Sequence, residues 1–193
     1  SSTIVARRFR ERGLQPEAAV ALCLCAGLVS DTLNLTSPTT TDVDRDMLLW
    51  LSGLAEVDAD EFAEAFFASG SLLLHADAQA IVGTDRKEFN EDGVFLSLSQ
   101  VEETSFKGLS KRQEELVEEL ERLRHEYRYE LCAILVTDIR RHDSVLLAVG
   151  LEELLCKLPF TRSGVNEFSA PGVVSRKKQL FPAVCEAIRL RSD

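Results

Sequence analysis

Three short stretches of this 193-residue chain carry residue types whose spacing could do chemistry. The C-terminal stretch reads Ser175-Arg176-Lys177-Lys178-Gln179. It falls between a short strand-like run and the last helical segment, so its cations open a helix whose dipole opposes them. That placement is poor for stability, yet backbone N–H groups beside Arg and Lys side chains make a strong anion site. An ordinary basic surface cluster is the other reading. The middle stretch, Asp85-Arg86-Lys87-Glu88-Phe89-Asn90, precedes an alternating segment and by itself reads as a solvated turn. In the N-terminal stretch, Ser30 to Thr41, Asp31 ends an apolar helical run, where the dipole disfavours a carboxylate. A metal ion or a basic partner would offset that cost. A helix-ending Asx turn followed by a hydroxyl-rich loop is the alternative.

The composition bounds what these stretches can serve. Hydrophobic residues make up 45% and charged residues 28%, a globular balance rather than a disordered one. The formal net charge of −10 argues against a nucleic-acid surface, which must neutralise many phosphates. Much of the acid lies between Gln113 and Glu130, whereas the C-terminus carries Arg176, Lys177, Lys178, Arg189 and Arg191. A local basic spot on an acidic protein suits a small phosphorylated ligand better than a polymer. No apolar run approaches the roughly 18 residues of a membrane span, so no membrane partner is expected. The N-terminus, with Arg7, Arg8, Arg10, Glu11 and Arg12, does not read as a signal peptide. Cys23-Leu24-Cys25 lacks zinc-site spacing, and the five cysteines sit mostly in apolar segments. Reduced thiols and a cytoplasmic location are expected.

The elements that must position these stretches change character along the chain. Helices are expected over Thr3 to Gly13, Ala18 to about Leu28, Thr41 to Leu54 and Phe62 to Ser69. The second is apolar almost all round and should be buried. Beyond Gly70 the pattern is mixed. Gly93 to Val101 alternates as a strand, and Gly108 to Tyr127 is a long charged amphipathic helix. Glu130 to Ile139 and Ser144 to Val149 read as strands, Gly150 to Leu158 as a short helix, and Val173 to Ser175 as a last strand before a helix from about Lys178. A helical segment joined to an α+β domain is the economical description.

Taken in order, the motifs resemble the DHH phosphoesterase superfamily, and within it the family II inorganic pyrophosphatases. The resemblance rests on Ser30-Asp31-Thr32-Leu33-Asn34 with Ser37-Pro38-Thr39-Thr40-Thr41, on Lys87-Glu88-Phe89, and on Gln100-Val101-Glu102. It continues through Val136-Thr137-Asp138-Ile139 and Pro171 to Gln179, and so covers essentially the whole chain. The resemblance implies an α/β (α+β) class fold: 1–70 as the helical C-terminal part of a DHH domain, 71–78 as a linker, and 79–193 as a substrate-clamp domain with a mixed sheet flanked by helices. It implies Asp31 as a metal ligand and Lys87, Arg176 and Lys177 as holders of substrate phosphates.

The departures are informative. The family's His-x-Asp-x-Asp and Asp-His-His segments have no counterpart among His75, His125 and His142. Ser1-Ser2-Thr3 resembles the middle of a family segment, so a longer protein is expected. A two-metal centre cannot be built from Asp31 alone. The resemblance thus implies the C-terminal part of a manganese-dependent pyrophosphatase, with cobalt or magnesium as other metals mostly held elsewhere. This part would grip the phosphates of pyrophosphate or another small phosphoanhydride, and would be inactive alone. An exopolyphosphatase or nucleotide phosphoesterase of the same superfamily, a non-catalytic anion-binding regulatory module, and a homodimer stay open.

Overall fold

The computed structural model describes residues 2–191, which fall in two compact units, Ser1–Gly70 and Ser71–Asp193. The first unit is helical: α1 (Ser2–Glu11), α2 (Ala18–Thr32), α3 (Asp42–Ala55) and α4 (Ala59–Gly70). Its core gathers Ala6, Ala21, Cys25, Leu28, Val29, Met47, Leu48, Leu51 and Ala63. Helix α3 starts where a capping box forms: the Thr41 hydroxyl accepts from the Asp44 N–H, and the Asp44 carboxylate accepts from the Thr41 N–H at 2.8 Å. The all-round burial expected of α2 is not what forms. Ala21, Cys25, Leu28, Val29 and Thr32 are buried, whereas Val20 and Cys23 are exposed. One stripe of α2 faces the core of this unit, with Leu24 packed partly buried against it.

The second unit is a mixed sheet between two helical layers. Among the described residues, six strands run in the order β1-β2-β3-β4-β6-β5: β1 (Lys87–Glu91), β2 (Val94–Glu103), β3 (Leu131–Asp138), β4 (Asp143–Gly150), β5 (Thr161–Arg162) and β6 (Glu167–Ser169). Strands β2 and β3 are parallel and the other neighbouring pairs are antiparallel. The parallel pair requires a crossover, which α7 (Leu109–Tyr127) supplies. Helices α5 (Leu72–His75), α6 (Ala78–Gly83) and α7 cover one face, with Leu116, Leu120 and Leu123 against Ile134, Val136, Leu147 and Val149. On the other face α8 (Glu152–Leu155) and α9 (Phe181–Arg189) cover Leu96, Leu98, Ala133, Leu135, Leu146 and Ala148. The α/β class and mixed sheet are those expected.

Two local expectations change. Lys87–Glu91 is a paired edge strand rather than a solvated turn, because Asp92 and Gly93, both at positive φ (50° and 82°), make a two-residue hairpin that folds it onto β2. Residues 173–175 are a loop rather than a strand, since side chains bind their carbonyls instead of a neighbouring strand. The expected linker at 71–78 holds the α5 turn, with Leu73 buried and the carbonyls of Leu73 and Ala76 accepting from Arg112 at 3.0 and 2.8 Å.

Candidate anion-binding site

Alternation along the three central strands sets the stage. In β2 the residues Val94, Leu96 and Leu98 face α8 and α9, and by the two-residue period Gln100 continues that row. In β3 the row Leu131, Ala133, Leu135 continues to Thr137, and in β4 the row Ala148, Leu146 continues to Ser144. An apolar face therefore ends in a buried polar row, at the C-terminal ends of the parallel pair. Gln100, Thr137 and Ser144 are all buried, so their polar atoms require partners.

The chain from Gly172 to Arg176 supplies those partners. Gln100 Nε2 donates to Thr137 Oγ1 at 3.1 Å and to the Val174 carbonyl at 3.0 Å. Ser144 Oγ donates to the Val173 carbonyl at 2.6 Å and lies 3.0 Å from Thr137 Oγ1. Gln100 Oε1 accepts from the Arg176 N–H at 2.8 Å. Gln179 closes the loop on itself, donating to the Gly172 carbonyl and accepting from the Val174 N–H at 2.8 and 2.9 Å.

From this anchored loop the three cations emerge. Arg176–Leu180 forms a wide helical turn, its Leu180 N–H bonding the Ser175 carbonyl five residues back, and runs directly into α9. Ser175 caps it, its hydroxyl accepting from the Lys178 N–H at 3.2 Å. Lys177 and Lys178 are exposed, while Arg176 is buried. Its guanidinium uses Nε and Nη2 to meet the Asp85 carboxylate at 3.1 to 3.3 Å. Asp85 adopts φ 43°, a left-handed conformation uncommon for a residue with a side chain.

Lys87 enters from the neighbouring strand. It pairs with Leu98, two residues along β2 from Gln100, and shares the face of Phe89, which stacks on Phe181 of α9 with centroids 4.1 Å apart. The predicted residues Lys87, Arg176 and Lys177 are thus brought to the same end of one sheet face. Two further C-terminal basic residues make ion pairs: Arg191 pairs with Glu130 at 2.7 Å and with Glu153 at 2.6 Å, and Arg189 with Glu186 at 3.5 Å.

Asp31 lies in the first unit, exposed in the last turn of α2. Behind it Leu33, Asn34 and Leu35 all adopt positive φ (51°, 51° and 63°), a run that stores backbone strain. Thr32 organises it, donating to the Leu28 carbonyl and accepting from the Leu35 N–H at 2.7 and 3.1 Å. Among the described residues, no three His, Cys, Asp or Glu side chains stand together as a metal site. The described residues therefore do not by themselves fit a bound metal.

Two participants escaped the sequence reading. Gln100 was part of a motif without a role, though a polar residue continuing the row Val94, Leu96, Leu98 was a readable signal. Asp85 carried no signal that it would pair with Arg176, 91 residues away.

The fold and site define an α/β domain that carries a cationic turn at the ends of parallel strands, a position where such sheets commonly bind ligands. The comparisons with known proteins narrow it. The DHHA2 domain matches residues 64–187, and the chain belongs to that family. A Clostridium acetobutylicum protein named as a probable manganese-dependent inorganic pyrophosphatase is 30% identical over 189 residues, 97% of this chain and 61% of the relative. A cobalt-dependent inorganic pyrophosphatase of Clostridium perfringens is 31% identical over 192 residues, 99% of this chain and 35% of that one. The crystal structure of a Methanococcus jannaschii protein assigned to the family II inorganic pyrophosphatases superposes with a TM-score of 0.58 at 27% identity, covering 97% of this chain and 64% of that one. The chain thus spans less than two thirds of the length of each. Among the described residues no helix is long and apolar enough to cross a membrane.

Proposed function

We propose that this chain is the C-terminal part of a metal-dependent inorganic pyrophosphatase and that its second unit holds the phosphates of pyrophosphate. The observation that carries this reading is the convergence of Lys87, Arg176 and Lys177 on one end of a sheet face, in a chain similar along nearly its whole length to named pyrophosphatases. Arg176 offers a fixed positive charge with Nη1 left outside its pairing with Asp85, and the two lysines act as mobile point charges. Cations so placed favour the charge that grows on a departing phosphate. Asp31 would contribute one ligand to a manganese or cobalt centre whose other ligands come from beyond this chain. No step through that metal follows from the residues present.

The test is a titration of the chain with inorganic pyrophosphate, followed by backbone amide shifts. Saturable movement at Arg176, Lys177 and Lys87 is expected. Silence at all three positions sinks the reading. Running orthophosphate and a longer polyphosphate in parallel separates a pyrophosphate site from a site for longer chains.

A further inference from the structure

Arg176 is held from two directions by groups to which neither the family match nor the proposed function assigns a part. Its backbone N–H is fixed by Gln100, whose amide also binds Thr137 and the Val174 carbonyl and is itself buried. Its guanidinium is fixed by Asp85, which takes Nε and Nη2 and leaves Nη1 outside that pairing. One bond fixes the backbone from which the side chain springs and the other its tip, and together they restrict the placement of an otherwise flexible residue.

We infer that Asp85 and Gln100 are positioning residues that pre-set Arg176 for an anionic ligand, without themselves touching it. The inference rests on the anion-site reading above and deepens it. Three features favour positioning over mere structure. Gln100 is an amide where the strand row otherwise carries Val94, Leu96 and Leu98, so a leucine would fit the same face. Its acceptor oxygen goes to Arg176 itself rather than to a sheet neighbour. Asp85 reaches Arg176 from a left-handed backbone conformation, a local cost that pairing with the guanidinium offsets. A guanidinium already in place, with Nη1 outside the Asp85 pairing, loses less freedom when it meets a phosphate, so affinity is gained through preorganisation.

The experiment compares four proteins: the unsubstituted chain, Asp85→Asn, Asp85→Glu and Gln100→Leu. Each is titrated with inorganic pyrophosphate by calorimetry, while circular dichroism and thermal unfolding monitor the fold. Asp85→Asn and Gln100→Leu are expected to bind roughly tenfold more weakly, the scale of a misplaced binding group. Asp85→Glu, which keeps the charge, is expected to recover most of the affinity. The Nε–H signal of Arg176 should broaden or shift in the free Asp85→Asn protein, which a remote packing defect would not cause. Asp85 lies half in solvent, so its replacement leaves the fold in place and keeps the comparison meaningful even if Gln100→Leu loosens the sheet. Unchanged affinity in folded Asp85→Asn overturns the proposal, and so does tighter binding, which would make Asp85 a competitor of the ligand. Failure of Asp85→Glu to recover affinity also counts against it. If the unsubstituted chain binds no pyrophosphate, the anion-site reading falls first and this proposal falls with it.

Discussion

The guanidinium of Arg176 and the carboxylate of Asp85 form a two-nitrogen contact in which the arginine side chain is 8% exposed and the aspartate 53% exposed. The pair therefore spans the boundary between sheet and solvent, with the cation on the buried side. Arg176→Lys keeps the charge and loses the fork. Pyrophosphate affinity should fall roughly tenfold, about 1.4 kcal/mol. Calorimetric titration checks this, and equal affinity would show that charge alone suffices.

Gly150 ends β4 against the start of β3. A Cβ built there would lie 2.4 Å from the Glu130 carbonyl oxygen and 3.0 Å from Leu131 Cα, both backbone atoms that cannot swing aside. Gly150→Ala should therefore destabilise the second unit by about 1–3 kcal/mol. Urea unfolding monitored in that unit measures the loss. A shift under half a kilocalorie, about 0.5 kcal/mol, would mean that the strand ends separate easily.

The thiols should divide by burial. Cys23 and Cys156 are exposed, whereas Cys132 is buried in β3, where burial pushes its thiol up from 9.0 to about 12. At pH 8 a maleimide should modify Cys23 and Cys156 within minutes and leave Cys132 untouched until the unit unfolds. The same shift has a thermodynamic side. The raised value favours the neutral thiol in the folded state, so its stabilisation is complete below pH 9 and is lost as pH rises from 9 toward 12. Peptide mapping after alkylation checks the first expectation, and unfolding midpoints between pH 8 and 11 check the second.

The purified chain should show no manganese-dependent hydrolysis of pyrophosphate. Asp31 stands exposed at the end of α2, and no described group of three candidate ligands gathers into a metal site. A phosphate-release assay with manganese or cobalt decides it, and measurable turnover would refute the expectation.

How far the sequence disclosed this depends on how local each signal is. Helix α7 was legible because Leu116, Leu120 and Leu123 mark one face among paired charges. Strand β3 was legible as an unbroken buried run. Strand β1 was not, since Lys87, Glu88, Asn90 and Glu91 carry no apolar period and their strand character comes from pairing with β2. Val173-Val174 misled for the opposite reason. Their propensity is that of a strand, yet Ser144 and Gln100 occupy the carbonyls a ladder would use. The cations of the site were visible as residue types. Their organisation was not, because the partners of Arg176 lie 76 and 91 residues away.

Those separations carry a consequence for folding order. The helices of the first unit and the β1–β2 hairpin form from neighbours in the chain, whereas the bond from Gln100 to Arg176 closes a loop of 76 residues. Closing so long a loop is entropically disfavoured until the intervening α7, β3 and β4 are docked. The turn that bears Arg176 and Lys177 runs into α9, so packing Leu180, Val184 and Ile188 against the sheet brings that turn onto the polar row in the same step. The anion site proposed above is therefore complete only once the segment from Gly172 onward is docked on the sheet.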